Sequence, residues 1–444
     1  MAAVYFLSLG CDKNLTDSEA MLGLLQKAGH HFTDDPAQAE AIVVNTCSFI
    51  GDAKEESINA ILEMTAYKES GRCRALIAAG CLAERYRHEI AGELPELDAV
   101  LGTSSWPHIV QALETALEEK PQEGCEAYFD DVNALPLVRE RILTTGGYYA
   151  YLKIAEGCSK YCTYCAIPLA RGEYRSLPME EVEAQARLLA EKGVRELILV
   201  AQETTLYGVD LYGKKSLPEL IRRLESIEGL EWIRLLYGYP EELTEEMIAT
   251  MAASPKLCHY LDLPVQHASD TVLSRMGRKT NGRQLRQLIG RIRERIPDIA
   301  LRTTLIAGFP GETEEEHQEN LRFIKEIGFD RLGVFCYSRE EGTAAYSMPN
   351  QIPKRTRERR RKELMLAQQA IAFEKAAQMK GRCLKVLVEG LLPKEGVYVG
   401  RSYMDAPEVD GLVFFKDSRE RESGSFVSVR INGAKEYDLL GEVI

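Results

Sequence analysis

Three apolar runs near the start of the chain each stop at a cysteine. Residues 4–9 run into Gly10-Cys11, residues 41–44 into Asn45-Thr46-Cys47, and residues 75–79 into Gly80-Cys81. The cysteines lie 36 and 34 residues apart. Polar stretches of helix length separate the runs, which is the pattern of a parallel sheet with crossover helices. In such a sheet the C-terminal strand ends share one rim, and ligands bind there. The repeat therefore brings three sequence-distant thiols together. A single cysteine at a strand end reads as a small core hydrophobe. Three at one register of a repeated unit read as a shared metal site. Val100-Leu101-Gly102 continues the series as a fourth strand without a cysteine.

The whole chain has 444 residues and 11 cysteines, an odd number that cannot fully pair. Disulfides seldom persist in a cytosolic chain, so spacing decides what the thiols do. The length predicts two to four domains, and a composition 28% charged and 45% hydrophobic excludes disordered and collagen-like classes. No apolar run approaches the ~20 residues of a membrane span, and the start lacks the basic flank of a signal peptide. A cytoplasmic monomer without membrane contact is expected. The net charge of −13 is uneven: residues 1–144 carry 11 basic and 24 acidic side chains, residues 145–377 carry 34 and 33, and residues 378–444 carry 10 and 11. An acidic first third repels phosphate and suits a basic partner.

Residues 121–147 are polar and poorly periodic and read as a linker. A second strand–helix series follows, with strands expected at 149–155, 197–201, 232–236, 260–264, 301–307 and 332–336 and helices such as 179–192 and Gly282–Arg295. Six units suit an open (β/α)6 partial barrel, with functional groups at the C-terminal strand ends. Pro353 opens a long charged helix running to about Met379. Strands at 385–389, 397–401, 411–415, 426–431 and 437–443 then predict a small five-stranded antiparallel β-barrel, similar to oligonucleotide-binding barrels. The chain is thus an α/β protein divided at 1–120, 121–147, 148–377 and 378–444.

Cys158, Cys162 and Cys165 form C-x3-C-x2-C just after the first strand of the central domain. Most iron–sulfur clusters take four thiolates, so three leave one iron open for chemistry. Structural zinc prefers four closed ligands, and no further Cys or His lies within twelve residues on either side. Gly157-Cys158-Ser159-Lys160-Tyr161-Cys162-Thr163-Tyr164-Cys165 resembles the signature of radical S-adenosylmethionine enzymes. That resemblance implies a 4Fe-4S cluster whose open iron chelates S-adenosylmethionine. It implies one-electron cleavage to a 5′-deoxyadenosyl radical, with Tyr164 near the adenine.

Two triads in this order, with the words Ser8-Leu9-Gly10-Cys11, Asn45-Thr46-Cys47 and Ala79-Gly80-Cys81, resemble the radical methylthiotransferases over essentially the whole chain. The last barrel resembles their TRAM domain. The resemblance implies a second 4Fe-4S cluster on Cys11, Cys47 and Cys81, its open iron carrying a sulfide or polysulfide. One S-adenosylmethionine would methylate that sulfur and a second would generate the radical, so the N-terminal sheet is expected to cap the barrel mouth.

The family divides by substrate. Cys11-Asp12-Lys13-Asn14, Asp17-Ser18-Glu19, Ile154-Ala155-Glu156-Gly157, Ala201-Gln202-Glu203-Thr204-Thr205, Tyr207-Gly208 and Ala406-Pro407-Glu408-Val409-Asp410-Gly411 resemble the branch acting on ribosomal protein S-twelve. This implies a methylthio group placed on the β-carbon of an S-twelve aspartate, with flavodoxin or ferredoxin as electron donor. The nearly neutral last barrel lacks a nucleic-acid footprint. The alternatives are the same chemistry on a transfer RNA adenosine, and a non-enzymatic metal-cluster protein.

Residues 354–362 hold seven basic side chains in nine, readable as a solvated helix face or as a ribosomal RNA contact. Gly308-Phe309-Pro310-Gly311-Glu312-Thr313 lacks the Gly-Lys-Ser/Thr of a phosphate loop and reads as a strand–helix turn. Gln202, Glu203, Gln266 and Arg302 are polar residues at or near strand ends, expected among the cofactor contacts, with Arg302 facing the cofactor carboxylate. His267 reads as a hydrogen-bonded wall, and Cys73, Cys125, Cys258, Cys336 and Cys383 as ordinary thiols. No Ser-His-Asp or paired-carboxylate arrangement stands out, so no protein acid or base is assigned to catalysis.

Overall fold

A computed structural model describes residues 1–118, 125–137 and 139–444. The expected boundary at 120 and the first residues of the expected linker, 121–124, lie outside the described residues. The N-terminal sheet has the order β2-β1-β3-β4-β5-β6, all parallel. Its strands are β1 (Ala3–Ser8), β2 (His31–Phe32), β3 (Ala41–Thr46), β4 (Ala75–Gly80), β5 (Ala99–Leu101) and β6 (Glu126–Tyr128). Every residue of β3 and β4 is buried, as a parallel sheet covered on both faces requires. Successive side chains alternate. Val43 and Ile77 pack with Met21 and Leu25 of helix Asp12–Lys27. Ile42, Val44 and Leu76 pack with Ile61 and Met64 of helix Gly51–Ser70. Strand β6 comes from the stretch read as linker; it is short, polar and at the sheet edge, so it carries no apolar alternation.

The central sheet is open and parallel, in the order β14-β13-β12-β11-β10-β7. It consists of β7 (Tyr149–Lys153), β10 (Glu196–Val200), β11 (Trp232–Leu235), β12 (Leu257–Asp262), β13 (Ala300–Ala307) and β14 (Arg331–Cys336). A two-stranded antiparallel ribbon, β8 (Ala155–Glu156) and β9 (Arg175–Ser176), lies beside it. Leu197, Leu199, Ile233 and Leu235 face outward under helices Met179–Glu191, Leu217–Glu225 and Gly282–Arg295, meeting Val182, Leu220 and Leu285. Tyr149, Tyr151, Ile198, Val200, Trp232 and Tyr260 face the concave side. After β13 the Glu312 carboxylate accepts from the backbone N–H of Gly308 (2.5 Å) and Phe309 (3.0 Å), and Thr313 caps helix Glu314–Ile327. The turn thus closes on itself and offers no phosphate cradle.

Helix Lys354–Gln378 leads to a closed barrel in the order β15-β16-β17-β19-β18. Its strands are β15 (Cys383–Leu392), β16 (Val397–Ser402), β17 (Val413–Lys416), β18 (Phe426–Lys435) and β19 (Asp438–Val443). The expectation of an antiparallel barrel needs one correction, because β17 and β19 pair parallel. Five strands in a closed ring cannot each oppose both neighbours, so an odd barrel must contain a parallel pair. This barrel packs Leu387, Ala406 and Phe426 against the concave face of the central sheet. A buried ion cluster fastens it there. Glu196 accepts from Arg234 (2.7 Å) and lies 2.7 Å from Arg401, which donates to Glu389 (2.5 Å). Tyr260 donates to Asp410 (2.7 Å) and Arg331 to Asp405 (2.5 Å). No described helix is long and apolar enough to cross a membrane.

Candidate functional site

Cys11, Cys47 and Cys81 follow the ends of β1, β3 and β4 and stand on one rim, as the repeat requires. Two glycines allow the approach. Gly10 has φ +92°, and a Cβ there would lie 2.8 Å from Cys47 Cβ. Gly80 has φ +93°, and a Cβ there would lie 2.3 Å from Asn45 Oδ1. Side-chain amides pin the loops. Asn14 donates to the carbonyls of Leu9 (2.6 Å) and Thr46 (3.2 Å), and Asn45 donates to Asn14 O (2.9 Å) and Ser18 Oγ (2.8 Å). Gly80→Ala adds a clash to strain of about 1–3 kcal/mol for a side chain in this backbone region. We expect that variant to unfold at a lower temperature than the parent, which a thermal melt checks.

Cys158, Cys162 and Cys165 occupy the loop after β8. Gly157 has φ +76°, and a Cβ there would overlap Glu173 O at 2.0 Å. The Cys158 N–H donates to Gly172 O (3.1 Å) and the Cys165 N–H to Cys162 O (2.9 Å). The Cys162 sulfur is 3.2 Å from the Tyr239 hydroxyl, and the Arg278 guanidinium lies 4.0 Å from the Tyr239 ring. Tyr164 sits against Val272, Met276 and Phe309.

Burial pushes the thiols up, Cys47 and Cys165 to about 12 and Cys158 to about 11, and it pushes Cys81 up against the opposing pull of Arg171. Protons must therefore leave as metal enters. Three thiols in each set match an iron–sulfur cluster with one open iron better than the four closed ligands of structural zinc.

The polar candidates divide. Gln202 donates to Glu156 (2.6 Å), and its Oε1 is buried without a partner. Glu203 is buried, which pushes its carboxyl up to about 8, and its Oε2 is unpartnered. Gln266 sits at φ +68° with an unpartnered Oε1. Arg302 stands elsewhere, near Tyr260, Asp262 and Asp410. The arginine beside Cys162 is Arg278, with buried Nε and Nη1 unpartnered. His267 is fully buried, its Nδ1 accepting from Ser269 N–H (3.0 Å).

The two triads are joined by a residue that hydrophobic patterning could not pick out. Arg171, 3% exposed, ends helix Ile167–Arg171 just beyond Cys165. It donates to Cys81 Sγ (3.3 Å), Asp17 (2.6 Å), Asn14 (2.9 Å) and Glu156 (3.2 Å). Lys153 completes the group, donating to Asp17 (2.5 Å) and Glu156 (2.6 Å). Around this hub, Arg85 donates to Glu340 (2.7 Å), Gly51 N–H to Ser338 Oγ (3.0 Å) and Thr103 to Ala170 O (2.7 Å). The cysteine rim of the first sheet thus caps the strand-end mouth of the second. Asn14, Asn45 and Glu156 lie inside the words already singled out; Arg171, Arg278 and Tyr239 do not.

Three family descriptions match the chain: UPF0004, an uncharacterized protein family, at residues 3–102, the radical SAM superfamily at 152–324, and the TRAM domain at 381–444. A protein of Lachnoclostridium phytofermentans named ribosomal protein uS12 methylthiotransferase RimO is 56% identical over 99% of both chains. One of the same name from Acetivibrio thermocellus is 49% identical over 99% of this chain and 98% of its own. Among solved structures, the radical S-adenosylmethionine methyltransferase TsrM of Kitasatospora setae superposes with a TM-score of 0.57 at 13% identity, covering 85% of this chain and 78% of that one. The last likeness is one of fold.

Proposed function

The chain belongs to the RimO family of ribosomal protein uS12 methylthiotransferases, and from that footing we propose that its two cysteine triads hold two clusters facing one substrate carbon. The protein is a radical S-adenosylmethionine enzyme of the transferase class. Its substrate is uS12, the S-twelve protein of the small ribosomal subunit, and the position modified is the β-carbon of an aspartate. The observation that carries the two-cluster reading is the meeting of Cys11, Cys47 and Cys81 on a rim docked over the Cys158 loop.

When bound, the clusters and S-adenosylmethionine supply the sulfur, the methyl group and the one-electron chemistry needed at an unactivated C–H bond. The chain's residues do the rest. Cys158, Cys162 and Cys165 hold one cluster, and Cys11, Cys47 and Cys81 the other with its sulfide or polysulfide. Gln202, Glu203 and Gln266 offer buried acceptor oxygens, which fit the amine and hydroxyl donors of an adenosyl group. Arg278 offers unpartnered donors that fit a carboxylate, a role expected of Arg302. Tyr164 walls the adenine side. The capping sheet covers the strand-end mouth so that Cys47, Cys158 and Cys162 are buried, while Cys11 on its rim stays exposed. Of the seven basic residues at 354–362, three are engaged within the chain: Arg357 donates to Tyr337 O, Arg360 to Glu312 O, and the exposed Arg359 to Glu314. Any ribosomal RNA contact there is left to Lys354, Arg355, Arg361 and Lys362.

Two measurements test the reading. Anaerobic reconstitution should load about eight iron atoms per chain and give reductive cleavage of S-adenosylmethionine; zinc, or no cleavage, would sink it. Peptide mass spectrometry of uS12 should show a methylthio group that disappears with the gene. An unchanged uS12, with a transfer RNA nucleoside losing its methylthio group instead, would move the enzyme to the other branch.

A further inference from the structure

We propose that Arg171 is a positioning residue for the N-terminal centre: its Nε–H donates to the Cys81 sulfur and holds a cluster there at a higher reduction potential than its thiolates alone would set. The proposal rests on the reading of Cys11, Cys47 and Cys81 as cluster ligands. Among the described hydrogen bonds, Arg171 is the one cation donating to a sulfur of either triad, at 3.3 Å. Each of its other two nitrogens is also engaged. Asp17 and Asn14 on one domain and Glu156 on the other fix the guanidinium plane from three sides, and the planar fork makes that direction rigid.

The local charges support a tuning role. Asp17 and Glu156 are matched by Lys153 and Arg171, two anions against two cations. A deprotonated triad adds negative charge that this balance does not cover, and Arg171 is the group facing it. Hydrogen bonds and positive charge at cluster sulfurs favour the reduced form, and partners that orient ligands tune a metal site as surely as the ligands themselves. Because the same guanidinium is carried by the short helix beyond Cys165 and bonded through Glu156 to Gln202, it also fixes the spacing between the two centres.

The test uses the full chain with Cys158→Ala, Cys162→Ala and Cys165→Ala together, so that only the N-terminal centre takes iron. With nitrogen-15 arginine, the reduced centre should show hyperfine coupling to a guanidinium nitrogen. An Arg171→Gln change on this background should lose that coupling and shift the midpoint to more negative potential, and Arg171→Lys, which keeps the charge, should restore part of the shift. Absence of coupling in protein with Arg171 intact, or an unmoved midpoint in Arg171→Gln, overturns the proposal. If the glutamine variant fails to assemble, the coupling measured with Arg171 intact still decides. Protein that takes up no iron through Cys11, Cys47 and Cys81 overturns the reading of that triad, and this proposal with it.

Discussion

Cys47→Ala protein, reconstituted anaerobically, is expected to cleave S-adenosylmethionine within about threefold of the parent rate, ~0.6 kcal/mol in barrier, and to transfer no detectable methylthio group. Cys47 contributes one sulfur to the N-terminal rim, and none of its described hydrogen bonds reaches the Cys158 loop. Its backbone N–H and carbonyl keep their bonds to Ser57 (2.9 Å each), so the local fold survives the change. Cys162→Ala is expected to abolish both reactions. The pair of results separates two centres from one. Loss of cleavage in Cys47→Ala would mean that the triads do not load independently. The readouts are 5′-deoxyadenosine formation and the mass of a uS12 peptide.

The second large effect concerns stability. Glu196 is fully buried and bridges two buried cations, Arg234 on β11 and Arg401 on β16. Glu196→Ala leaves both without that partner, which costs about 3–5 kcal/mol for breaking a buried pair from one side. The urea midpoint of the unit formed by the central sheet and terminal barrel should fall accordingly. Replacing Glu196, Arg234 and Arg401 together by apolar residues of similar volume should recover most of the loss. Burial alone would push the Glu196 carboxyl up, but Arg401 and Arg234 outweigh it and hold it below the usual carboxylate range. The unfolded chain therefore takes up this proton first as pH falls. The cluster's contribution is intact above the ordinary carboxylate range and is lost as acid carries pH through the lower, folded-state value. Unfolding at a series of acid pH values should show that slope in the parent and a flatter one in Glu196→Ala.

What the sequence made legible follows from what repeats. Strands β1, β3 and β4 are apolar runs that stop at nearly the same register, which places their cysteines on one rim. The six central strands are equally readable because each is an apolar run, and the long helix from Lys354 because Pro353 marks its start. Strands β2 and β6 are not legible because an edge strand of two or three residues is too short to show a period. The charged lumen escaped for another reason: Glu196 and Arg234 are single charges within apolar strands, and only the arrival of Arg401 from 167 positions after Arg234 explains them. Arg171 is the same case. A buried arginine is determined by partners far away in the chain, and no local pattern announces it. Arg302 was placed near the cofactor by its strand, yet β13 is long and Arg302 stands at its beginning, facing Asp262 and Asp410 rather than the thiols.

The fastening of the terminal barrel has a consequence for reach. Domains joined by thin polar contacts swing on their linkers, but this one is seated in the concave face by Leu387, Ala406 and Phe426 and locked by Glu196 and Arg401. The span from its outer surface to the cysteine rim is therefore a constant of the molecule. A partner that touches both must carry its target residue at a matching length, on a segment that stands far enough from its own body to enter under the cap. A substrate in contact with both would be selected in part by the distance between them.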